Sequence, residues 1–333
     1  MKAILLTGPK SPLSIQEIDT PEPGPDEVLI SLKAASVNHR DLWIWQGDYG
    51  NISYPCVLGS DGAGVVVKAG SEANQGWVDQ EVLINPSLNW GHQRAGHSSN
   101  FQILGVPSQG TFAEFISAPV SNVYKLPDGY DFIKSAALPL AGLTAHRALF
   151  YRGDLKANNT ILITGIGGGV SSFLLNFAVR AGARVYVSSS SNEKIKKAVE
   201  LGAINGINYK DDNWADQLKE FEPAGIDLII DSAGGPHFLP LIDLLKPGGK
   251  IVNFGRTAGN IPEMAPSRLF YKHASILGTT MGSPADFESM LEFVEEYNMR
   301  PVIDRVFDWK ETDKAFNYLR SSAQFGKVIL RIC

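Results

Sequence analysis

At 333 residues the chain exceeds the size at which one hydrophobic core stops growing, so two domains are expected. A hydrophobic share of 44% and a charged share of 20%, with 33 glycines and 19 prolines, mark a folded globular protein and exclude a disordered or fibrous one. The 30 basic and 35 acidic side chains leave a formal charge of -5 with no long run of like charge, which argues against nucleic acid or an anionic membrane surface as a partner.

The opening residues Met1-Lys2-Ala3-Ile4-Leu5-Leu6 enter a strand pattern at once, with no long apolar stretch ending at a small-residue cleavage site. No apolar run approaches the roughly 18 residues needed to span a bilayer. A cytoplasmic protein is expected. Over residues 1–126 short strands alternate with Pro and Gly punctuation, as in Pro21-Glu22-Pro23-Gly24-Pro25, and predict a small β-rich domain. Within it Gly59-Ser60-Asp61-Gly62-Ala63-Gly64 precedes the β-branched run Val65-Val66-Val67, a pattern suited to close backbone approach in a tight barrel. Residues 89–109 lack periodicity and read as a loop. The two cysteines, Cys56 and Cys333, are not expected to pair in a reducing compartment.

After Pro127-Asp128-Gly129 the pattern changes. Strands are predicted at 160–164, 184–188, 204–209, 226–231 and 250–254, with helices at 170–180, 192–201, 214–220 and 238–245, the fourth closed by Lys246-Pro247-Gly248-Gly249. This alternation predicts a doubly wound parallel sheet and an α/β fold. Beyond Ser275 follow another strand, a helix at 286–298, a strand at 302–307, a helix at 311–319 and a strand at 327–332, a close expected to return to the first domain. The domain bounds read as 1–126, 127–270 and 271–333.

Gly165-Ile166-Gly167-Gly168-Gly169-Val170-Ser171 lies between a strand and an apolar helix, the setting that gives a glycine fingerprint meaning. Glycines let the backbone turn sharply against a pyrophosphate, and the helix N-terminus favours the anion. A site that selects NAD carries Asp or Glu about 20 residues on, where it binds the ribose hydroxyls and repels a 2′-phosphate. Here that place holds Ser188-Ser189-Ser190-Ser191-Asn192, with no acid before Glu193 and with Lys194 and Lys197 following. Hydroxyls and ammonium groups suit a phosphate, so NADP(H) is favoured over NAD(H). The serines can equally cap the helix that begins at Asn192.

With these pieces in order, the chain resembles the medium-chain dehydrogenase/reductase superfamily over nearly its whole length. The resemblance is carried by Met1-Lys2-Ala3-Ile4, Ala35-Ser36-Val37-Asn38-His39-Arg40-Asp41, the hairpin 59–64, the segment Ala136-Ala137-Leu138-Pro139-Leu140-Ala141-Gly142-Leu143-Thr144-Ala145 and the glycine turn. It implies a GroES-like β-rich catalytic domain, a Rossmann domain, an active site in the cleft between them, and a homodimer. The zinc alcohol dehydrogenases of this superfamily hold their catalytic ion with a Cys, a His and a further Cys or acid at positions where this chain has Asn38, Ser60 and Ala141. Amide, hydroxyl and methyl groups do not make a zinc set. The structural-zinc loop of those enzymes carries four cysteines, and residues 89–109 carry none. Two other groupings, His39 with Cys56 and Asp61, and His92 with His97, are weaker metal candidates. The chain departs from the branch pattern in its triple glycine, in Ser171 where a third fingerprint Gly often stands, and in Trp43-Ile44-Trp45.

Without a metal to polarise a carbonyl, hydride needs an acceptor that is already electrophilic. The chain therefore resembles most the zinc-free quinone oxidoreductase and enone reductase branch, with a quinone or α,β-unsaturated carbonyl as substrate and NADPH as donor. The resemblance places Asn38 and Tyr49 at the catalytic face. It places Thr144 near the nicotinamide, Tyr209 near the adenosine, Ser232, Phe254 and Gly255 along the dinucleotide, and Gly278 with Thr279 near the carboxamide. Two rival readings stand beside it: a zinc-type alcohol dehydrogenase, and a non-catalytic NADPH-binding sensor or interaction protein.

Overall fold

A computed structural model describes residues 1–50 and 52–332 of the chain. It divides into two compact units, Met1–Ala141 with Gly282–Cys333, and Gly142–Met281. The sequence bounds after residues 126 and 270 differ from these. Helix α2 (Phe132–Ala137) buries Ser135, Ala136 and Ala137, which holds the segment after residue 126 in the first unit.

The first unit is β-rich. In its small sheet β1 (Lys2–Leu6) lies between β2 (Ser14–Glu17) and β4 (Cys56–Val57), both antiparallel to it. Its main sheet is built on β3 (Glu27–Val37), the longest strand of the unit, which pairs with β5 (Asp61–Ala69) and with β9 (Phe115–Pro119). Outward from β5 come β6 (Glu81–Ile84) and β10 (Val123–Lys125). Close approach in the hairpin is real: a Cβ on Gly64 would fall 2.1 Å from the carbonyl oxygen of Ser31 on β3, a contact only glycine avoids. Helix α1 (His39–Gln46) leaves the end of β3 through Asn38. The segment predicted as a loop at 89–109 contains a short strand, β8 (Gln102–Ile103), which pairs antiparallel with β7 (Ser87–Leu88) just before it.

The second unit, entered along helix α3 (Pro139–His146), carries a six-stranded sheet. Its strands are β11 (Thr160–Ile163), β12 (Arg184–Ser189), β13 (Asn205–Asn208), β14 (Ile226–Asp231), β15 (Leu245–Asn253) and β16 (Ser275–Gly278). Their spatial order is β13-β12-β11-β14-β15-β16, with every adjacent pair parallel. The order reverses between β11 and β14, the switch point above which ligands of such sheets sit. Helices α4 (Gly169–Arg180), α5 (Asn192–Glu200), α6 (Trp214–Phe221) and α7 (Phe238–Leu244) form the crossovers, and a short α8 (Ser267–Phe270) precedes β16. One detail departs from the sequence reading: Pro247-Gly248-Gly249 does not merely close the preceding helix but lies inside β15, where the register against β14 slips. Gly248, at φ +83°, accommodates the irregularity.

The chain then returns to the first unit as α9 (Pro284–Glu296), β17 (Ile303–Asp308), α10 (Thr312–Arg320) and β18 (Lys327–Arg331). β18 pairs antiparallel with β3, and Phe316 of α10 packs edge-on to Trp45 and Phe112 in the N-terminal core. Among the described residues no helix is long and apolar enough to cross a membrane.

Candidate functional site

The glycine turn sits at the carboxyl end of β11. Thr164 N donates to Ile230 O of β14 and Ile166 N to Ser188 O of β12, so the turn straddles the switch point. Gly165 (φ +65°) and Gly167 (φ +119°) hold left-handed backbone there. Helix α4 begins after Gly168 with no side-chain cap, which leaves its first N–H groups free to bind an anion. Ser171, the departure from the fingerprint, braces the turn instead: its Oγ lies 3.0 Å from both Gly165 O and Gly168 O. Val170 and Gly169 are half-buried on the first turn of the helix.

The serine run divides. Ser188 and Ser189 are each 4% exposed, since the crossover helices of a parallel sheet cover both faces of its inner strands, and Ser189 Oγ donates to Ile166 O. Ser191 caps α5, its Oγ accepting from Lys194 N at 3.4 Å, while Ser190 is half-buried beyond the strand. Lys194 lies across the glycine turn, and a Cβ on Gly167 would fall 3.1 Å from its Nζ.

Beneath the turn is a hub that sequence reasoning missed. Asp231, 1% exposed, accepts from Thr164 Oγ1 (2.7 Å), Gly234 N (2.8 Å) and Asn253 Nδ2 (2.8 Å), tying the ends of β11, β14 and β15 together. Ser232 Oγ reaches Thr164 O, and Asn253 Nδ2 also donates to Gly255 O. Phe254 N donates to the main-chain carbonyl of Asp231, so Ser232 and Gly255 are tied to the hub through Thr164 and Asn253, and Phe254 through the Asp231 backbone. Tyr209 stands after β13 with its ring 5.6 Å from that of His237. Thr144 is buried on α3. At the end of β16 Gly278 faces open space and Thr279 Oγ1 is buried with no hydrogen-bond partner among the described residues. A turn braced from below, an uncapped helix N-terminus, a nearby ammonium and an unsatisfied hydroxyl fit a nicotinamide dinucleotide.

Asn38 and Tyr49, which the resemblance places at the catalytic face, belong to a cluster in the first unit. Asn38, 7% exposed, donates through Nδ2 to Asp61 Oδ2 (2.9 Å), and its Oδ1 accepts from Lys327 Nζ (2.7 Å). Lys327, 2% exposed on β18, also pairs with Asp61 Oδ2 at 3.0 Å. Ser36 Oγ and Leu140 N complete the shell of Asp61. Tyr49 is placed by Arg40, whose guanidinium lies 5.1 Å from the ring centroid and donates to Ser60 Oγ, Leu104 O and Val106 O. Asp41 takes Asn38 N and Gly59 N on its two oxygens, and burial pushes its carboxyl up to about 6 against the pull of Arg40 and the backbone N–H of Asn38.

These residues do not fit zinc. Asn38 Oδ1 and Asp61 are already bound to an ammonium that would repel a divalent cation, Ser60 Oγ is bonded to Leu104 O, and Ala141 has no donor. The weaker groupings fare no better. Cys56 lies in the core, where burial pushes its thiol up, and His97 stacks on Phe101 at 4.4 Å, with Trp90 edge-on to both. Arg94 Nε, from the same loop, pairs at 2.8 Å with the fully buried Asp286 of α9.

The family described as "Alcohol dehydrogenase GroES-like domain" matches residues 24–128, and "Zinc-binding dehydrogenase" matches residues 169–296. A Leptosphaeria maculans protein named "Zinc-type alcohol dehydrogenase-like protein YogA" is 38% identical over 96% of this chain and 95% of its own. The human "Quinone oxidoreductase" is 27% identical over 94% and 92%, and proteins named "Acryloyl-coenzyme A reductase" are also related. A crystal structure titled as an NAD-dependent alcohol dehydrogenase superposes with a TM-score of 0.93 at 33% identity, covering 100% of both chains. The chain belongs to the medium-chain dehydrogenase/reductase superfamily, and is an oxidoreductase of that nicotinamide-dependent family.

Proposed function

We propose that this enzyme is an NADPH-dependent, metal-independent reductase that delivers hydride to a quinone or an α,β-unsaturated carbonyl. The observation that carries the reading is the engagement of Asn38 Oδ1 and Asp61 by Lys327, in a centre with neither thiolate nor imidazole to hold a Lewis acid. An acceptor whose conjugation already spreads the incoming charge then suits the site. The reduced nicotinamide, when bound, supplies the hydride. Asn38 Nδ2 donates to the substrate oxygen as it gains charge, Tyr49 flanks the substrate, and a hydroxyl or water returns the proton. Relatives named for quinone and for acryloyl-coenzyme A reduction are in keeping with such acceptors.

The choice of NADPH is supported by the absence of an acid at the end of β12 and by Lys194 beside Gly167. Phe270 and Tyr271, 59% and 78% exposed just before the edge strand β16, support a homodimer as part of the same proposal. The deciding experiment titrates NADPH and NADH separately, then follows NADPH oxidation with 1,4-naphthoquinone and with trans-2-hexenal. Tighter NADPH binding and turnover of at least one acceptor are expected. Tighter NADH binding refutes the cofactor, and binding without turnover makes the protein a sensor rather than a reductase.

A further inference from the structure

We infer that Lys327 is a positioning residue that fixes which end of the Asn38 carboxamide faces the substrate; the inference rests on the role given to Asn38 above. A carboxamide has two nearly isosteric ends, and only hydrogen bonds tell them apart. Here both ends are assigned. Oδ1 accepts from Lys327 Nζ at 2.7 Å, and one Nδ2 hydrogen goes to Asp61 Oδ2 at 2.9 Å. Turning the amide over would set its NH2 group against the ammonium and its carbonyl against the carboxylate, so both attractions would become repulsions. The second Nδ2 hydrogen is therefore what Asn38 has left to offer, and the group acts only as a donor.

Lys327 is held for this task and little else. It is 2% exposed, arrives from β18 at a separation of 289 residues from Asn38, and its ammonium bonds both Asn38 and Asp61. Asp61 is in turn saturated by Ser36 Oγ (2.6 Å) and Leu140 N (2.7 Å), which leaves it no freedom to follow a moving amide. The Lys327 ammonium also draws electron density from the carboxamide through Oδ1, which makes the remaining N–H a stronger donor to a developing oxyanion.

The test uses the full chain with NADPH and the acceptors 1,4-naphthoquinone and trans-2-hexenal. Asn38→Ala is expected to lower kcat on the order of 100-fold, the scale of losing one oxyanion donor. Lys327→Met is expected to lower kcat by a similar factor with KM for NADPH within about twofold, and Lys327→Gln, which keeps an N–H for Oδ1, to recover most of the loss. The decisive quantity is the double variant: Asn38→Ala with Lys327→Met should be no slower than Asn38→Ala alone. Multiplying losses, or a Lys327→Met enzyme as fast as wild type, would overturn the inference. If Asn38→Ala is as active as wild type, the role given to Asn38 fails instead.

A second readout needs neither turnover nor a folded Lys327 variant. In protein labelled with 15N-asparagine, the Asn38 side-chain resonances are identified by their loss in Asn38→Asp. One amide hydrogen should be protected from exchange and its geminal partner not. Equal protection of the two overturns the inference even if wild type reduces neither acceptor.

Discussion

The side chain of Lys194 crosses the glycine turn so closely that a Cβ on Gly167 would fall 2.7 Å from Lys194 Cδ. The ammonium thus lies beside Gly167 of the turn. Its backbone is held by the Ser191 cap, so the side chain starts from a fixed point. Lys194→Ala should weaken NADPH by about 1–3 kcal/mol, the loss of a charge-assisted hydrogen bond, and leave NADH nearly unchanged. Paired calorimetric titrations decide it. Equal losses for the two nucleotides would move the lysine from the 2′-phosphate to the pyrophosphate.

Ser171 makes the opposite prediction about selectivity. One hydroxyl hydrogen is shared between Gly165 O and Gly168 O, from a side chain in a residue only 3% exposed. Ser171→Ala should therefore cost about 1 kcal/mol of stability and weaken NADPH and NADH by the same factor, because the backbone it braces serves both. Denaturant unfolding together with the two titrations measures both effects. A change confined to one nucleotide would mean that the hydroxyl touches the ligand directly.

Much of the second unit was legible in the sequence because its signals are local. Strand, glycine turn and helix follow one another within a few residues, and each strand was placed to within a residue or two except β15, where a turn-forming Pro-Gly-Gly was absorbed into the strand as an irregularity. The serine run was legible as a break in the acidic pattern, but not in its burial: Ser188 and Ser189 are each 4% exposed, on an inner strand of a sheet whose faces the crossover helices cover. What escaped was nonlocal. Nothing near Lys327 in sequence marks it as the partner of Asp61, 266 residues away, and Asp231 reads as an ordinary strand-end acid until Thr164 and Asn253 close around it. Asn38 was singled out both for the zinc ligand it replaces and for a place at the catalytic face, but its bonds to Lys327 and Asp61 could not be read from the sequence.

Asp231 offers a test of whether the cofactor seat and the stability of the unit share one foundation. Asp231→Ala leaves the donors of Thr164, Gly234 and Asn253 without their acceptor in a site 1% exposed. A loss of about 3 kcal/mol or more is expected, with nucleotide binding abolished. Asp231→Asn, which keeps the shape and one acceptor oxygen, should lose less of both. Thermal unfolding with and without NADPH compares them, and an Asp231→Ala protein that still binds NADPH normally would show that the turn stands without the hub.

Asp41 sets a pH dependence that can be isolated by difference. Burial raises its carboxyl from 3.8 to about 6 in the folded chain, so the folded state holds this proton more tightly than the unfolded state does. A raised acid stabilises below its unfolded value and loses that contribution as pH climbs through its folded one. Here the window runs from about pH 4 to about pH 6, and the linked free energy is on the order of 3 kcal/mol. Asp41→Asn cannot titrate, and the other acids, common to both proteins, largely cancel when the two are compared. The stability of wild type minus that of Asp41→Asn, from urea unfolding at intervals between pH 4 and pH 7, should therefore fall as pH rises and level off above 6. A difference that stays flat, or rises, would mean that Asn38 N and Gly59 N hold the carboxylate well enough to outweigh its burial.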